Sequence, residues 1–170
     1  WAFKCGMAKV ERNDRYGYVD PAGKEVIPAR YSNAWCFSEG AAIVMIDRLY
    51  SFIDKNGNEI TTRRFYDIHN FSEGLAAVKN NEGKWGFIDK YGSLSIDFTY
   101  EDIKSFSQNI AAFRLGDKWG FIDRNGDEVI YPTFDHTWKY KEKSISFSDD
   151  LAAVCLDDKW GYINKYGDTI

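Results

Sequence analysis

Proline is scarce in this chain, with three in 170 residues, so it is neither a proline-rich linker nor a low-complexity spacer. Cysteine is as scarce. Cys5, Cys36 and Cys155 are an odd number without a spacing motif, which excludes a disulfide framework and leaves buried thiols as the expectation. Only two histidines occur, His69 and His136. They fall in different contexts with no Cys or His partner nearby, so no zinc site is expected and both read as loop residues. No apolar run approaches the roughly 20 residues that span a bilayer. A net charge of -4 gives no broad pull on phosphate backbones, which removes nucleic acid from the expected partners. The nucleophile-elbow, phosphate-loop and Cys–His patterns of common enzymes are missing as well.

Aromatic residues are what the chain has in excess: 12 Phe, 11 Tyr and 6 Trp. Flat, rigid side chains in that number suit strands and interfaces. Their order is repetitive. "GKWGFIDKYGSLSI" (83–96), "DKWGFIDRNGDEVI" (117–130) and "DKWGYINKYGDTI" (158–170) are near copies, with weaker ones at 14–27 and 48–60. A turn glycine marks the register at Gly23, Gly57, Gly92, Gly126 and Gly167, in steps of 34, 35, 34 and 41. A second glycine follows the large aromatic at Gly17, Gly86, Gly120 and Gly161, with Ser51 in the remaining copy. Between these runs a second signature recurs: "FSEGAAIV" (37–44), "FSEGLAAV" (71–78), "FSQNIAAF" (106–113) and "FSDDLAAV" (147–154), with a damaged copy at 3–10.

The chain is therefore one array over 1–170. Its units fall near 7–40, 41–74, 75–109, 110–150 with an insertion, and 151–170 in part. It starts at Trp1 rather than Met and reads as a segment of a longer array, which keeps cytoplasmic and exported placements both open.

Lys-Trp-Gly-Phe-Ile-Asp at 84–89 and 118–123 and Phe-Ser-Glu-Gly-Leu-Ala-Ala-Val at 71–78 resemble the WG-repeat (KWG) family over essentially the whole chain. Tyr50-Ser51 in place of Trp-Gly, Tyr16 in place of Trp, and the extra residues of the fourth unit depart from it. The resemblance implies a mostly bacterial, all-β repeat protein that serves as an interaction module. It carries no catalytic residue.

The residues of one unit point the same way. "LAAV" is a strand-length apolar run, "NNEGK" has turn chemistry, and "WGFID" alternates like a strand buried on both faces. Asp89 to Gly92 closes a hairpin, with the acid accepting backbone N–H bonds and glycine in the left-handed region. The expected fold is all-β, built of tandem antiparallel meanders of three or four strands and about 35 residues. Units of that size are short for four-stranded blades, so an open solenoid or superhelix is expected, with a closed propeller-like array as the alternative. The structural positions are Trp85, Trp119 and Trp160 as wedges between units, Gly86, Gly120 and Gly161 beneath a neighbour's ring, and Gly92, Gly126 and Gly167 in the turns.

Acidic turns such as "DRNGDE" (123–128) hint at a calcium loop, but glycine comes too early and no distal Glu completes the ligand set. No metal, no cofactor and no catalysis are expected, since each acid recurs once per unit at a turn. The insertion within 134–147 is the expected binding element. Trp138, Lys139, Tyr140, Lys141 and Lys143 form a basic, aromatic patch there, with a loop capping a sheet edge as the other reading. The expected function is a non-enzymatic scaffold whose partner is a protein or peptide, exposed strand edges inviting strand addition. The alternative is a carbohydrate or cell-wall ligand stacked on exposed aromatics.

Overall fold

A computed structural model describes residues 6–135 and 145–170. Among them there is no helix; sixteen strands form five antiparallel sheets in chain order. The first sheet holds β1 (Ala8–Arg12), β2 (Arg15–Val19) and β3 (Glu25–Tyr31). The second holds β4 (Asn33–Ala34), β5 (Ala42–Ile46) and β6 (Leu49–Ile53). The third joins β7 (Asp67–Ile68), β8 (Leu75–Lys79), β9 (Trp85–Asp89) and β10 (Leu94–Tyr100). The fourth joins β11 (Asp102–Ile103), β12 (Ala111–Leu115), β13 (Lys118–Ile122) and β14 (Glu128–Phe134), and β15 (Ala152–Leu156) pairs with β16 (Lys159–Ile163) in the fifth. No sheet closes into a barrel, and the principal contacts between sheets join consecutive units.

Unit length does not limit the strand count as expected. Four strands fit into about 35 residues because the first is only two residues long.

Tight turns set the pairing. Asn13-Asp14, Asp47-Arg48 and Asp157-Asp158 all take positive φ, from 49° to 61° for the acids and Asn and 66° for Arg48, the geometry that suits two-residue hairpins. At the other end, the side chains of Asp20, Asp54, Asp89, Asp123 and Asn164 each accept the N–H groups two and four residues on, at 2.8–3.0 Å. The glycine at the fourth turn position has φ between 80° and 88° in all five copies. These side chains are turn fasteners. Their first lone pairs go to backbone N–H groups.

The core lies between sheets rather than within one. Tyr18 and Ile27 of the first sheet meet Ala42, Val44 and Ile53 of the second. Trp85, Phe87 and Ile96 of the third meet Phe113 and Ile122 of the fourth. Trp119, Phe121 and Ile130 meet Val154 and Ile163 of the fifth. An equivalent aromatic pair staples each boundary: Tyr18–Phe37, Phe52–Phe71, Phe87–Phe106 and Phe121–Phe147, with centroids 4.6–5.1 Å apart. A large side chain buried this way is worth about 1.5–3 kcal/mol, so a single unit lacking its neighbour forfeits most of its core.

The small slot beside the tryptophan has a different cause from the one expected. The atoms nearest to Gly86 and Gly120 are backbone, not a neighbour's ring. A Cβ there would lie 2.6 Å from the carbonyl oxygen of Ile96 or Ile130, on the outer strand of the same sheet. Pairing explains why. Trp85 faces Tyr100 and Phe87 faces Ile96, so the outer strand spends two extra residues opposite Gly86; Trp119, Phe121, Phe134 and Ile130 repeat the arrangement. The bulged backbone rests on the glycine. In the second sheet residues 61–64 run outside any strand, and buried Ser51 fits.

Two smaller corrections concern the scarce residues. Cys36 is exposed, while Cys155 is buried as expected. His69 is half-buried and its ring stacks on Trp85 at 4.9 Å, so it is no free loop residue. Cys5 and His136 lie outside the described residues.

Candidate functional site

The expected wedges separate into two groups. Trp85 and Trp119 are buried between sheets, whereas Trp160 and its neighbour Tyr162 are 40% and 49% exposed. A Cβ on Gly161 would meet nothing within 4 Å, and among the described residues no outer strand crosses it. The turn glycines do two jobs. Besides the positive φ, a Cβ on Gly126 would press on the side chain of Ile96 in the preceding sheet at 3.1 Å, and one on Gly92 would approach the carbonyl oxygen of Ile60 at 2.5 Å. Gly167 has only ordinary contact with Ile130. Trp138, Lys139, Tyr140, Lys141 and Lys143 lie outside the described residues.

A chain of bonds that sequence reading missed runs across the sheet boundaries. Ser38, Ser72 and Ser107 donate their hydroxyls to the carbonyls of Phe71, Phe106 and Phe147 in the following unit. The carboxylate of Glu73 accepts the N–H groups of Gln108 and Asn109 at 2.7 and 2.8 Å, and the Gln108 side chain accepts from Asp150 at 3.0 Å. The "FSEG" signature is thus a connector: Phe fills a core, Ser and Glu grip the next turn. Its recurrence at the unit period was the available signal.

The second unit breaks the pattern, and the break opens space. Thr61 stands where Ile27 stands in the first unit, Tyr50-Ser51 replaces Trp-Gly, and only isolated bridges join Tyr50 to Phe65 and Ile53 to Glu59. At the turn end of the boundary with the third unit lies a cleft of about 480 Å³. Ala41, Ile60 and Phe71 line it, and Glu39, Asp54, Lys90 and Tyr91 rim it. Burial works against ionisation of Asp54, but bonds from Asn58 and Asn56 outweigh it and hold the carboxyl below its ordinary range.

A second cleft of about 470 Å³ opens beside Trp35, Tyr50 and His69, with Ile43 and Ile68 beneath and Asp67 at the rim. The Trp35 and Tyr50 rings stand 5.6 Å apart at 53°. Burial holds the His69 imidazole below its usual range, Asp67 and Asp102 opposing and Lys104 reinforcing the shift. Both volumes suit a side chain or a small molecule. Among the described residues no group of three or more His, Cys, Asp or Glu is placed to hold a metal ion.

The family model described as WG containing repeat matches four consecutive segments, 16–50, 50–85, 85–119 and 119–160. Comparison with curated proteins gives no match. Solved structures similar to the chain include Hsv2 of Kluyveromyces lactis, at 14% identity and a TM-score of 0.60, covering 96% of this chain and 59% of that one. BamB of Moraxella catarrhalis is similar at 12% identity and a TM-score of 0.52, covering 97% and 57%. The computationally designed Ika8 protein is similar at 14% and 0.54, covering 99% and 58%. The chain thus spans less than two thirds of the length of these structures. Hsv2 and BamB are β-propeller-like repeat proteins, and at such identities the likeness concerns fold alone: small antiparallel sheets set against one another like blades.

Proposed function

Since this chain belongs to the WG-repeat family, four matched units standing end to end over 16–160, we propose that it works as a recognition scaffold holding a protein or peptide, with no catalysis of its own. One observation carries this reading. Most residues that could do chemistry are taken up by the architecture, turn acids by backbone N–H groups and Trp85 and Trp119 by inter-sheet cores, while the boundary of the second and third sheets departs from the repeat and carries a cleft at each end. Conserving a fold by repetition and varying one boundary is how a scaffold acquires a specific surface. The carbohydrate alternative needs a coplanar row of exposed rings. Burial of Trp85 and Trp119 takes two members out of that row. A hydrolase would need acids converging in one cleft with shifted acidity, and the acids here are spread one to a turn.

Two surfaces are proposed for contact: the clefts of the second boundary, and the basic, aromatic insertion carrying Trp138, Lys139, Tyr140, Lys141 and Lys143. The probe is a displayed library of random peptides panned against the folded array. Selected peptides should lose about tenfold in affinity on Tyr91→Ala, on Tyr50→Ala or on the Trp138→Ala/Tyr140→Ala pair, a hot-spot loss of about 1.4 kcal/mol, with the melting temperature little changed by Tyr91→Ala, whose ring is exposed, and the half-buried Tyr50 variant still folded. A library that yields no binder above background, or binders indifferent to all three variants, overturns the scaffold reading.

A further inference from the structure

In most units the ring in the tryptophan slot carries a cation from the chain itself. Lys9 stands over Tyr16 at 4.8 Å, Lys79 over Trp85 at 5.6 Å and Lys104 over Trp119 at 5.0 Å. The second unit is different. Met45 pairs with Tyr50 where Lys79 pairs with Trp85, and among the described residues no Lys or Arg stands over Tyr50 or over Trp35. These two rings instead wall the cleft of about 470 Å³.

We infer that this cleft is a cation pocket, which takes the guanidinium or ammonium group of a partner's Arg or Lys side chain against a ring pair that no Lys or Arg of the described residues covers. The electrostatics suit such an occupant. Asp67 at the rim is exposed, and only one of its oxygens is engaged, by the Ile68 N–H at 2.9 Å. His69 is held neutral by burial and so adds no repulsion. Lys104, the cation acting on that histidine, is itself set over Trp119 and 3.8 Å from Asp102. Ile43 and Ile68 line the cleft for the apolar stem of a long basic side chain. An aromatic pair with one carboxylate is a setting in which a cation gains from the ring faces.

The inference rests on the recognition-scaffold reading and is tested separately from it. The probes are N-acetyl-arginine methylamide and its neutral isostere N-acetyl-citrulline methylamide, read by the NMR shift of the Trp35 indole N–H. The arginine probe should shift that signal saturably and the citrulline probe should not. Asp67→Asn should weaken binding several-fold. Met45→Lys, which rebuilds the pairing of the third unit, should abolish it while the array stays folded. Equal shifts from both probes, a response that does not saturate, or binding that survives Met45→Lys each overturns the pocket. A displayed peptide that survives Met45→Lys but fails on Tyr91→Ala leaves the scaffold standing and refutes this site.

Discussion

The carboxylate of Glu39 accepts the backbone N–H groups of Glu73 and of Gly74, both at 2.8 Å, so one side chain holds the corresponding turn of the following unit. Glu73 then does the same for Gln108 and Asn109, and its own carbonyl receives the Arg124 guanidinium from the next hairpin. Glu73→Ala strips two N–H groups of their acceptor at a solvent-exposed boundary. The expected loss resembles that of a helix cap, about 1 kcal/mol or roughly 2–4 °C in melting temperature. Glu73→Gln should lose less, because Gln108 already grips the last boundary through an amide oxygen. Thermal unfolding of the two variants checks the order.

Tryptophans at equivalent positions should differ in worth. Trp119 is buried among Phe121, Ile130 and Val154, and its removal to Ala should cost about 3–5 kcal/mol in denaturant unfolding. Trp160→Ala, at an open face, should cost well under half as much. Equal losses would contradict the assignment of the core to sheet boundaries.

Glycine in the slot allows a sharper contrast. Gly120→Ala places a methyl 2.6 Å from a backbone oxygen and must displace the outer strand, whereas Gly161→Ala meets open space. The first should destabilise by about 1–3 kcal/mol, as overpacking does. The second should be neutral or stabilise by a few tenths of a kcal/mol up to about 1, since it narrows the unfolded ensemble. Denaturation midpoints of the pair decide it.

His69 makes stability depend on pH with a defined sign. Burial lowers its folded-state pKa beneath the ordinary 6.5, so below that pH the unfolded chain binds the proton first. Stability should therefore fall as pH drops from about 6.5 towards the folded-state pKa, and stay flat in this respect above it. His69→Gln should flatten that part of the profile, and melting temperatures between pH 7.5 and 5 measure the difference. An unchanged slope would place the titration elsewhere.

Repetition made the fold legible. Five glycines at one turn position needed one backbone explanation, and five hairpins supplied it. The stacking of sheets was legible too, because Trp-Gly-Phe-Ile puts apolar residues on both faces of a single strand. What stayed hidden depends on pairs distant in sequence. The bulge over Gly86 arises from residues 97–99, which nothing in the Trp-Gly motif announces, and Glu39 reads as a surface acid until its partner 34 positions later is seen to share its turn. The site was half visible. Tyr50-Ser51 stands out in the sequence as a departure from the pattern, but its meaning needs Met45 and Trp35 placed against the same ring.

The bulged outer strand has a further consequence. Strands β3, β10 and β14 each form one edge of their sheets, with β1, β7 and β11 at the other. Each interrupts its own ladder opposite the slot glycine, and Pro28 and Pro132 lie within two of these interruptions and offer no N–H. At these edges the backbone comes in short, misaligned lengths, which discourages fibrous aggregation there. The array can thus expose these interrupted edges and remain discrete.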